Sequence, residues 1–329
     1  MAPATIRVRG RTYPVLDRLH LGRRDYLVLK NLSGGLRERY QVYDTIARDF
    51  RVVLVLEKSR TSGQHLAALR KFTGRNSASF PLIWEFCPKG DHFFVIQVWI
   101  WGHDLGRKIR HAEEHPASGP SPLECFQIYR RLAHGIVQIH QETGIVHGDI
   151  KPSNVVLVRN RVFIVDFGSA WMVEQSAYRT PGDGRSDAYA SPEQHREEPF
   201  VDFRSDYFSA SVIAYQLLTR HLPYDGMGGK AGRAEYGDVF ANKFVPPSQL
   251  CPLRSTMRNE FWERIDRILA TGLALNANQR FATRDAWLSE IESLNAMLKL
   301  QPKISSFNER LLGAFDWLTR WIRKPKSNL

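Results

Sequence analysis

Residues 1–100 contain short apolar runs with the composition of β-strands. The runs are rich in β-branched and aromatic residues and are separated by Gly, Asp and Asn. They are centred on Tyr26–Leu29, Tyr40–Tyr43, Val52–Leu56 and Phe93–Val98. One helix is predicted among them, over residues 64–72. This part of the chain is therefore predicted to form a small, mainly-β unit.

From Ser121 onward the apolar residues recur at helical spacing. Ser121-Pro-Leu-Glu124 is a capping box with proline at the first helical position, and Gly144 marks the end of that helix. Two short strands are predicted within residues 155–165. Further helices are predicted over 206–219, which is apolar on almost every side, and over 259–274 and 283–298. The pattern predicts a mainly-α unit joined to the first near Trp101–Leu105, and hence an α+β chain with two lobes.

The bulk composition narrows the class of protein. The chain has 329 residues and a formal net charge of +12, yet no homeodomain, zinc-finger or RNA-binding signature accompanies the charge. We therefore expect no specific nucleic-acid partner, and we interpret the charge as serving solubility and the handling of polyanions such as ATP. A nucleic-acid-binding module remains a weaker alternative.

The cysteines and the N-terminus indicate the compartment. The three cysteines are widely spaced and form neither a metal pattern nor a disulfide framework, which suits a reducing environment. Residues 1–11 are basic and lack the apolar run of a signal sequence. The longest apolar run, Phe93–Trp101, is shorter than the ~20 residues of a membrane span. We expect a cytoplasmic protein.

The chemistry is concentrated in His147-Gly-Asp-Ile-Lys-Pro-Ser-Asn154 and in Asp166-Phe-Gly168, which follows it. Phosphoryl transfer from ATP needs a carboxylate to orient the attacking hydroxyl, metal ligands and cations. Asp149 can accept the hydroxyl proton, and Lys151 can reach the γ-phosphate. Asn154 and Asp166 supply the hard oxygen ligands that Mg²⁺ or Mn²⁺ prefers. Together, at this spacing, the two motifs form a strong signal for phosphoryl transfer.

With these motifs the chain resembles the eukaryotic-like Ser/Thr protein kinases common in bacteria, over about Tyr26 to Leu298. The resemblance rests also on Ser191-Pro-Glu193-Gln, Asp206-Tyr-Phe-Ser209, Leu222-Pro-Tyr224 and Asn278-Gln-Arg-Phe281. It implies a kinase-like bilobal fold with an N-lobe over about 26–101 and a C-lobe over about 102–298. It also implies that Asp206 braces the catalytic loop and that Arg280 pairs with Glu193.

The resemblance also assigns the adenine site. Gln97 takes the gatekeeper position at the end of the strand, and backbone groups of Val98 and Ile100 face adenine. The alternative for this segment is a simple core strand.

The loop after the catalytic segment departs from the family pattern in one place and keeps it in another. Gly148 stands where most members have an arginine that meets a phosphate on the activation loop. We therefore expect activity without phosphorylation of residues 169–190. Ser186 matches the family's substrate-loop threonine and favours Ser/Thr specificity, although an exposed loop serine is the alternative.

The N-lobe departs further from the pattern. Its phosphate loop keeps only Gly34 and Gly35, with Arg37 and Arg39 as potential side-chain donors to phosphate, and a plain hairpin turn is an equal alternative. Lys58 is either the third-strand lysine that contacts the α/β-phosphates or a solvated strand end, in which case Leu54 or Leu56 faces the cleft. No Asp or Glu occurs between Glu57 and Glu85, so the helix at 64–72 offers no carboxylate to pair with that lysine.

Two segments lie outside the resemblance: an N-terminal extension over 1–25 and a basic, amphipathic helix within 299–329. The segment 306–324 either contacts a membrane or partner or docks on the domain surface. The sequence thus indicates an ATP- and Mg²⁺-dependent Ser/Thr protein kinase acting on a protein substrate. The alternative is a pseudokinase, a scaffold or nucleotide-binding regulator that keeps the fold with little phosphoryl transfer.

Overall fold

The computed structural model describes residues 4–32, 38–115, 119–174 and 186–300. Within them, an antiparallel sheet with one adjoining helix forms the smaller lobe, and helices dominate the larger lobe. The expected α+β, bilobal architecture is confirmed. The helix expected at 306–324 lies outside the described residues.

The smaller lobe is built on a six-stranded antiparallel sheet. Its strands, in spatial order, are β3 (Asp17–Leu21), β4 (Arg24–Asn31), β5 (Glu38–Asp44), β6 (Asp49–Glu57), β8 (His92–Val98) and β7 (Ile83–Lys89). Side chains alternate across the sheet. On β6, Val53 and Val55 therefore pack in a small outer cluster, while Leu54 and Leu56 belong to the main core that continues into the larger lobe.

A hairpin precedes this sheet and was not predicted from the sequence. Strands β1 (Thr5–Val8) and β2 (Arg11–Pro14) are joined by Arg9 and Gly10, which both have positive φ, as a tight hairpin turn requires. The hairpin covers Phe50 and Trp99 on the outside of the lobe. The segment predicted as an N-terminal extension over 1–25 thus contributes to the packing of the N-lobe, and β3 adds a strand to its sheet.

The longest helix of the larger lobe begins and ends where the sequence signals place it, and the helices predicted over 206–219, 259–274 and 283–298 lie within a few residues of those bounds. In α3 (Pro122–Thr143) the Ser121 side chain accepts the Glu124 N–H, and Gly144 ends the helix with φ 69°. Helix α5 (Arg204–Thr219) is buried around nearly its whole circumference and packs on α3. The remaining helices are α1 (Gly63–Arg70) beside the sheet, and α2 (Leu105–Glu114), α4 (Pro192–His195), α6 (Pro247–Leu250), α7 (Asn259–Gly272) and α8 (Arg284–Leu300) in the larger lobe.

Short strands hold the loops that carry the polar motifs. Strand β10 (Ile145–Val146) pairs with β13 (Trp171–Met172). Strand β11 (Val155–Val158) pairs with β12 (Arg161–Ile164) and with β9 (His103–Asp104). The loop that contains Asp149 therefore lies between β10 and β11, and Asp166 follows β12 on the same side. In the described part of the chain, no helix is long and apolar enough to cross a membrane.

Candidate active site

A buried carboxylate holds the backbone of the loop that carries Asp149. Asp206, at the start of α5, accepts the backbone N–H groups of His147 at 2.8 Å and Gly148 at 3.0 Å. His140 Nε2 lies 2.8 Å from the same carboxylate. Burial opposes ionisation of Asp206, but the hydrogen bonds from His140 and the loop outweigh it and lower its pKa. Burial lowers the pKa of His140 as well, so a neutral imidazole donates to an ionised Asp206.

Asp149 and Lys151 form the centre of the site. Lys151 Nζ lies 2.7 Å from Asp149 Oδ2 and 2.8 Å from the hydroxyl oxygen of Ser186. The Ser186 N–H donates to Asp149 Oδ1 at 3.1 Å. Ser186 therefore contacts both residues, as the resemblance implied for the substrate-loop threonine, and is not an isolated loop serine.

The electrostatics of Asp149 suit a proton acceptor. Burial raises its pKa, while the neighbouring Lys151 opposes the rise through its charge and its hydrogen bond. A carboxylate that is partly desolvated and held by one cation is more basic than an exposed aspartate. The charge of Lys151 favours the ionised form of Asp149, which is the form that a general base needs.

Asn154 and Asp166 meet the chemical requirements of a magnesium site. The Asn154 amide donates to the Asp149 backbone oxygen at 2.9 Å and to Asp149 Oδ2 at 3.2 Å. This orientation leaves Asn154 Oδ1 without a hydrogen bond from the described residues. Asp166, with φ 67°, holds its carboxylate 14% exposed in the cleft. Two hard oxygen donors that emerge from adjacent strands fit a hard divalent cation.

An aromatic column holds the Asp166 turn in place. The Phe167 ring packs against Phe72 with 4.1 Å between ring centroids and against His147 with 4.8 Å. Phe80 packs edge-on against Phe72 at 5.0 Å. The column runs from the residues just after α1 to the catalytic loop, so the position of Asp166 is coupled to both lobes.

Gly148 is required by its surroundings. It has φ 74°, and a Cβ at this position would overlap the ring of Trp171. The Trp171 indole N–H donates to the Val201 carbonyl at 3.1 Å. The Trp171 ring thus fills the space beside Gly148, the position at which most members of the family have an arginine. Loop residues 175–185 lie outside the described residues.

The residues assigned to the adenine site lie at the end of β8 and in the connection between the lobes, and their contact with adenine stays a prediction. Gln97 is buried at the end of β8, and the Val98 N–H donates to the Leu82 carbonyl at 3.0 Å. Val98 and Ile100 are both half-buried in the connection to the larger lobe. Gly34 and Gly35 lie outside the described residues, so their phosphate contacts remain a prediction.

The structure does not bring Lys58 together with the other predicted site residues. Lys58 is exposed in a single 3₁₀ turn after β6, and its ammonium group lies 5.4 Å from the centroid of the Phe93 ring. Leu54 and Leu56 are each only 2% exposed on the core face of β6. Among the residues that the structure describes, the cation that contacts Asp166 is Arg39, from β5.

A buried ion pair joins α4 to the segment that precedes α8 in the larger lobe. Arg280 binds Glu193 through two hydrogen bonds, of 2.7 and 2.8 Å, and its guanidinium group lies over Phe208. Burial alone would raise the pKa of Glu193, but Arg280 outweighs it and lowers that pKa. This is the pairing that the sequence resemblance implied.

Sequence reasoning missed two contacts beside this site. It gave no role to Trp171, although an unusual glycine in the catalytic loop indicates that a bulky neighbour is near. It also gave no role to His65 of α1, whose Nδ1 lies 3.1 Å from the Ala170 carbonyl oxygen. No local motif identifies a helix histidine that contacts a distant loop.

Comparison with known proteins identifies the family of this chain. Residues 24–290 match the family described as Protein kinase domain. Serine/threonine-protein kinase PknL of Mycobacterium tuberculosis is 28% identical over 285 residues, which are 84% of this chain and 67% of PknL. Probable serine/threonine-protein kinase PknB of Bifidobacterium longum is 31% identical over 192 residues, 57% of this chain and 26% of that protein.

Solved structures show the same fold. The Cydia pomonella granulovirus kinase PK-1 matches with a TM-score of 0.63 at 19% identity, covering 80% of this chain and 93% of that one. The PknI kinase domain of M. tuberculosis matches with a TM-score of 0.55 at 19% identity, covering 82% and 95%. At this identity the likeness shows the fold alone.

The chain belongs to the protein kinase family. Its similarity to PknL and PknB places it with the bacterial-type, eukaryotic-like Ser/Thr kinases. The chain spans 26% of the length of the Bifidobacterium longum PknB and 29% of that of the probable serine/threonine-protein kinase CE0033 of Corynebacterium efficiens.

Proposed function

We propose that this protein transfers the γ-phosphoryl group of ATP to Ser or Thr hydroxyls of a protein substrate, with Mg²⁺ or Mn²⁺ as cofactor. The observation that carries the proposal is the contact of Ser186 with both Asp149 and Lys151. It fixes the carboxylate and the ammonium group side by side, where an incoming hydroxyl needs a base and the transferred phosphoryl group needs a cation.

The residues then divide the reaction between them. Asp149 accepts the proton of the substrate hydroxyl while the hydroxyl oxygen forms a bond to the γ-phosphorus of ATP. The bond between the γ-phosphorus and the β–γ bridging oxygen breaks, and ADP leaves. Lys151 offsets the negative charge on the transferred group. Asn154 and Asp166 would hold Mg²⁺, which neutralises phosphate charge when bound. The adenine site is bordered by Gln97, Val98 and Ile100. We also propose that the protein is cytoplasmic.

Incubation of the purified full chain with γ-labelled ATP and Mg²⁺ tests the proposal. The wild type should incorporate label, and phosphoamino-acid analysis should find phosphoserine or phosphothreonine. Asp149→Asn should lower incorporation by about 10²–10⁴-fold, since the side chain keeps its shape but loses its basicity. Incorporation by the wild type no greater than that of Asp149→Asn would overturn the proposal in favour of a pseudokinase.

Nucleotide binding is tested separately by thermal unfolding. ATP·Mg should raise the melting temperature, because a ligand that binds only the folded state stabilises it by mass action, about 2.7 kcal/mol at a hundred times its Kd. Asp166→Ala should lose the metal-dependent part of the rise. An unchanged wild-type melting temperature in millimolar ATP·Mg would contradict the assigned site.

A further inference from the structure

The register of the sheet places a cation in the cleft. Arg39 of β5 lies directly opposite Leu54 of β6, and Leu54 lies opposite Val95 of β8. Directly opposed residues of antiparallel strands share a face of the sheet. Leu54 and Val95 pack into the main core together with Phe167. Arg39 therefore lies on the core-facing side, and its guanidinium group forms an ion pair with the Asp166 carboxylate.

This cation is well enclosed. The Arg39 side chain is 23% exposed and that of Asp166 is 14% exposed. Of the Lys and Arg side chains in the described ranges, Arg39 alone forms an ion pair with Asp166. Lys58, the candidate from the sequence, is instead exposed beside the Phe93 ring. A guanidinium group held away from water requires a matching anion.

We propose that Arg39 is the residue that binds the nucleotide phosphates, supplying from β5 the cation that the leucines of β6 do not supply. The inference rests on the proposed function. If Asp166 helps to hold the magnesium of ATP, the phosphates must lie beside Asp166, in the space that the Arg39 guanidinium group already reaches. An arginine fork binds phosphate oxygens through two parallel hydrogen bonds, so Arg39 suits this ligand.

The same placement accounts for the missing helix carboxylate. A lysine on β6 is a flexible point charge and needs an anionic partner to hold it in the cleft. Arg39 forms its ion pair with Asp166 across the cleft, so it does not require a carboxylate from α1. That helix is instead tied to the loop after Asp166 through His65 and the Ala170 carbonyl. Two departures from the family pattern, the aliphatic β6 positions and the helix without a carboxylate, thus have one cause.

The test compares two single cations by calorimetry on the full chain. Arg39→Met removes the guanidinium group, Arg39→Lys keeps a charge, and Lys58→Met is the matched control in the same lobe. Each variant is titrated with ATP·Mg and with adenosine, which has the same base and sugar but no phosphate. Arg39→Met should weaken ATP·Mg binding by about tenfold or more and leave adenosine affinity within about twofold. Arg39→Lys should recover part of the loss, and Lys58→Met should change neither affinity.

Other outcomes overturn the inference. If Arg39→Met binds ATP·Mg as the wild type does, Arg39 does not contact the phosphates. If it binds ATP·Mg more tightly, Arg39 only blocks Asp166. If Lys58→Met weakens ATP·Mg binding and Arg39→Met does not, the third-strand end supplies the cation after all.

The two proposals fail in different ways. A wild type that binds ATP·Mg through Arg39 but transfers no phosphate keeps this inference and removes the kinase activity. A wild type that transfers phosphate with Arg39 dispensable keeps the activity and removes the inference. A wild type that binds no ATP·Mg removes both.

Discussion

The two sides of the cleft hold their charged groups in different ways. In the larger lobe, the catalytic loop is fixed by neighbours in the same lobe: Asp149 by Lys151 and Asn154, and the loop backbone by Asp206. In the smaller lobe, the cation Arg39 is fixed by Asp166 of the other lobe. The groups of one loop must keep their spacing along the chain, whereas a cation on a sheet can be supplied by either of two adjacent strands that share a face.

This difference explains where the chain departs from its family. Positions across β5 and β6 that point to the same side are equivalent in space although they are far apart in sequence. Exchanging a lysine on one strand for an arginine on the other conserves the charge in the cleft and erases the sequence motif. In the larger lobe, Asp149, Lys151 and Asn154 lie in one loop at a fixed spacing, so none of them can be replaced by a residue from another strand.

The largest expected effect is a loss of stability in the larger lobe. Arg280→Met leaves Glu193 buried without its partner and should lower the free energy of unfolding by about 3–5 kcal/mol. Lys108→Met is the matched control, because its ion pair with Glu124 is largely exposed and is expected to contribute only about 0–1 kcal/mol. Chemical denaturation measures both. Equal losses would show that the larger lobe is not held by this pair.

The same pair makes a prediction about pH. Arg280 keeps the folded-state pKa of Glu193 below that of the unfolded chain. The stabilisation is therefore fully present above the unfolded pKa of about 4.3 and is lost as the pH falls through the lowered folded value. The difference in stability between wild type and Arg280→Met should shrink in that acid range.

A smaller effect is expected at the catalytic loop. Gly148→Ala combines a left-handed backbone, costing about 1–2 kcal/mol, with an overlap against Trp171, costing about 1–3 kcal/mol. Gly144→Ala is the control, since Gly144 has φ 69° and nothing within 4 Å of an added Cβ. Denaturation should show Gly148→Ala to be the less stable variant. The same cost for both would mean that Trp171 yields easily and does not fix the loop.

The smallest expected effect is a shift in the pH profile of phosphoryl transfer. Activity needs ionised Asp149, so it should rise as the pH rises through the pKa of Asp149, which burial places above the ordinary value of about 3.9. Because Lys151 lowers that pKa, the residual activity of Lys151→Met should begin to rise at a higher pH than wild-type activity. Lys58→Met should leave the acid limb in place. An unmoved limb in Lys151→Met would show that another group is the base.

The larger lobe could be predicted from the sequence because its signals are local. The cap at Ser121, the end at Gly144 and the loop from His147 to Asn154 each lie within a few residues of the group they position. The Glu193–Arg280 pair is distant in sequence and was found only through the family resemblance.

The smaller lobe was harder to predict because its decisive facts are pairings between strands. Arg39 was noted as a potential phosphate donor, but only the register opposite Leu54 places it beside Asp166. The first hairpin was missed because its strands are short and partly exposed, so they carry a weak apolar pattern.

The contact between Gly148 and Trp171 restricts which pairs of residues this protein can carry at these two positions. An arginine at 148 and a tryptophan at 171 would compete for the same space, since even a single added carbon at Gly148 overlaps the ring. Residues 148 and 171 are therefore interdependent: a side chain larger than glycine at position 148 requires that the Trp171 ring move or be replaced by a smaller one. The hydrogen bond from the indole to Val201 adds to the cost of moving that ring.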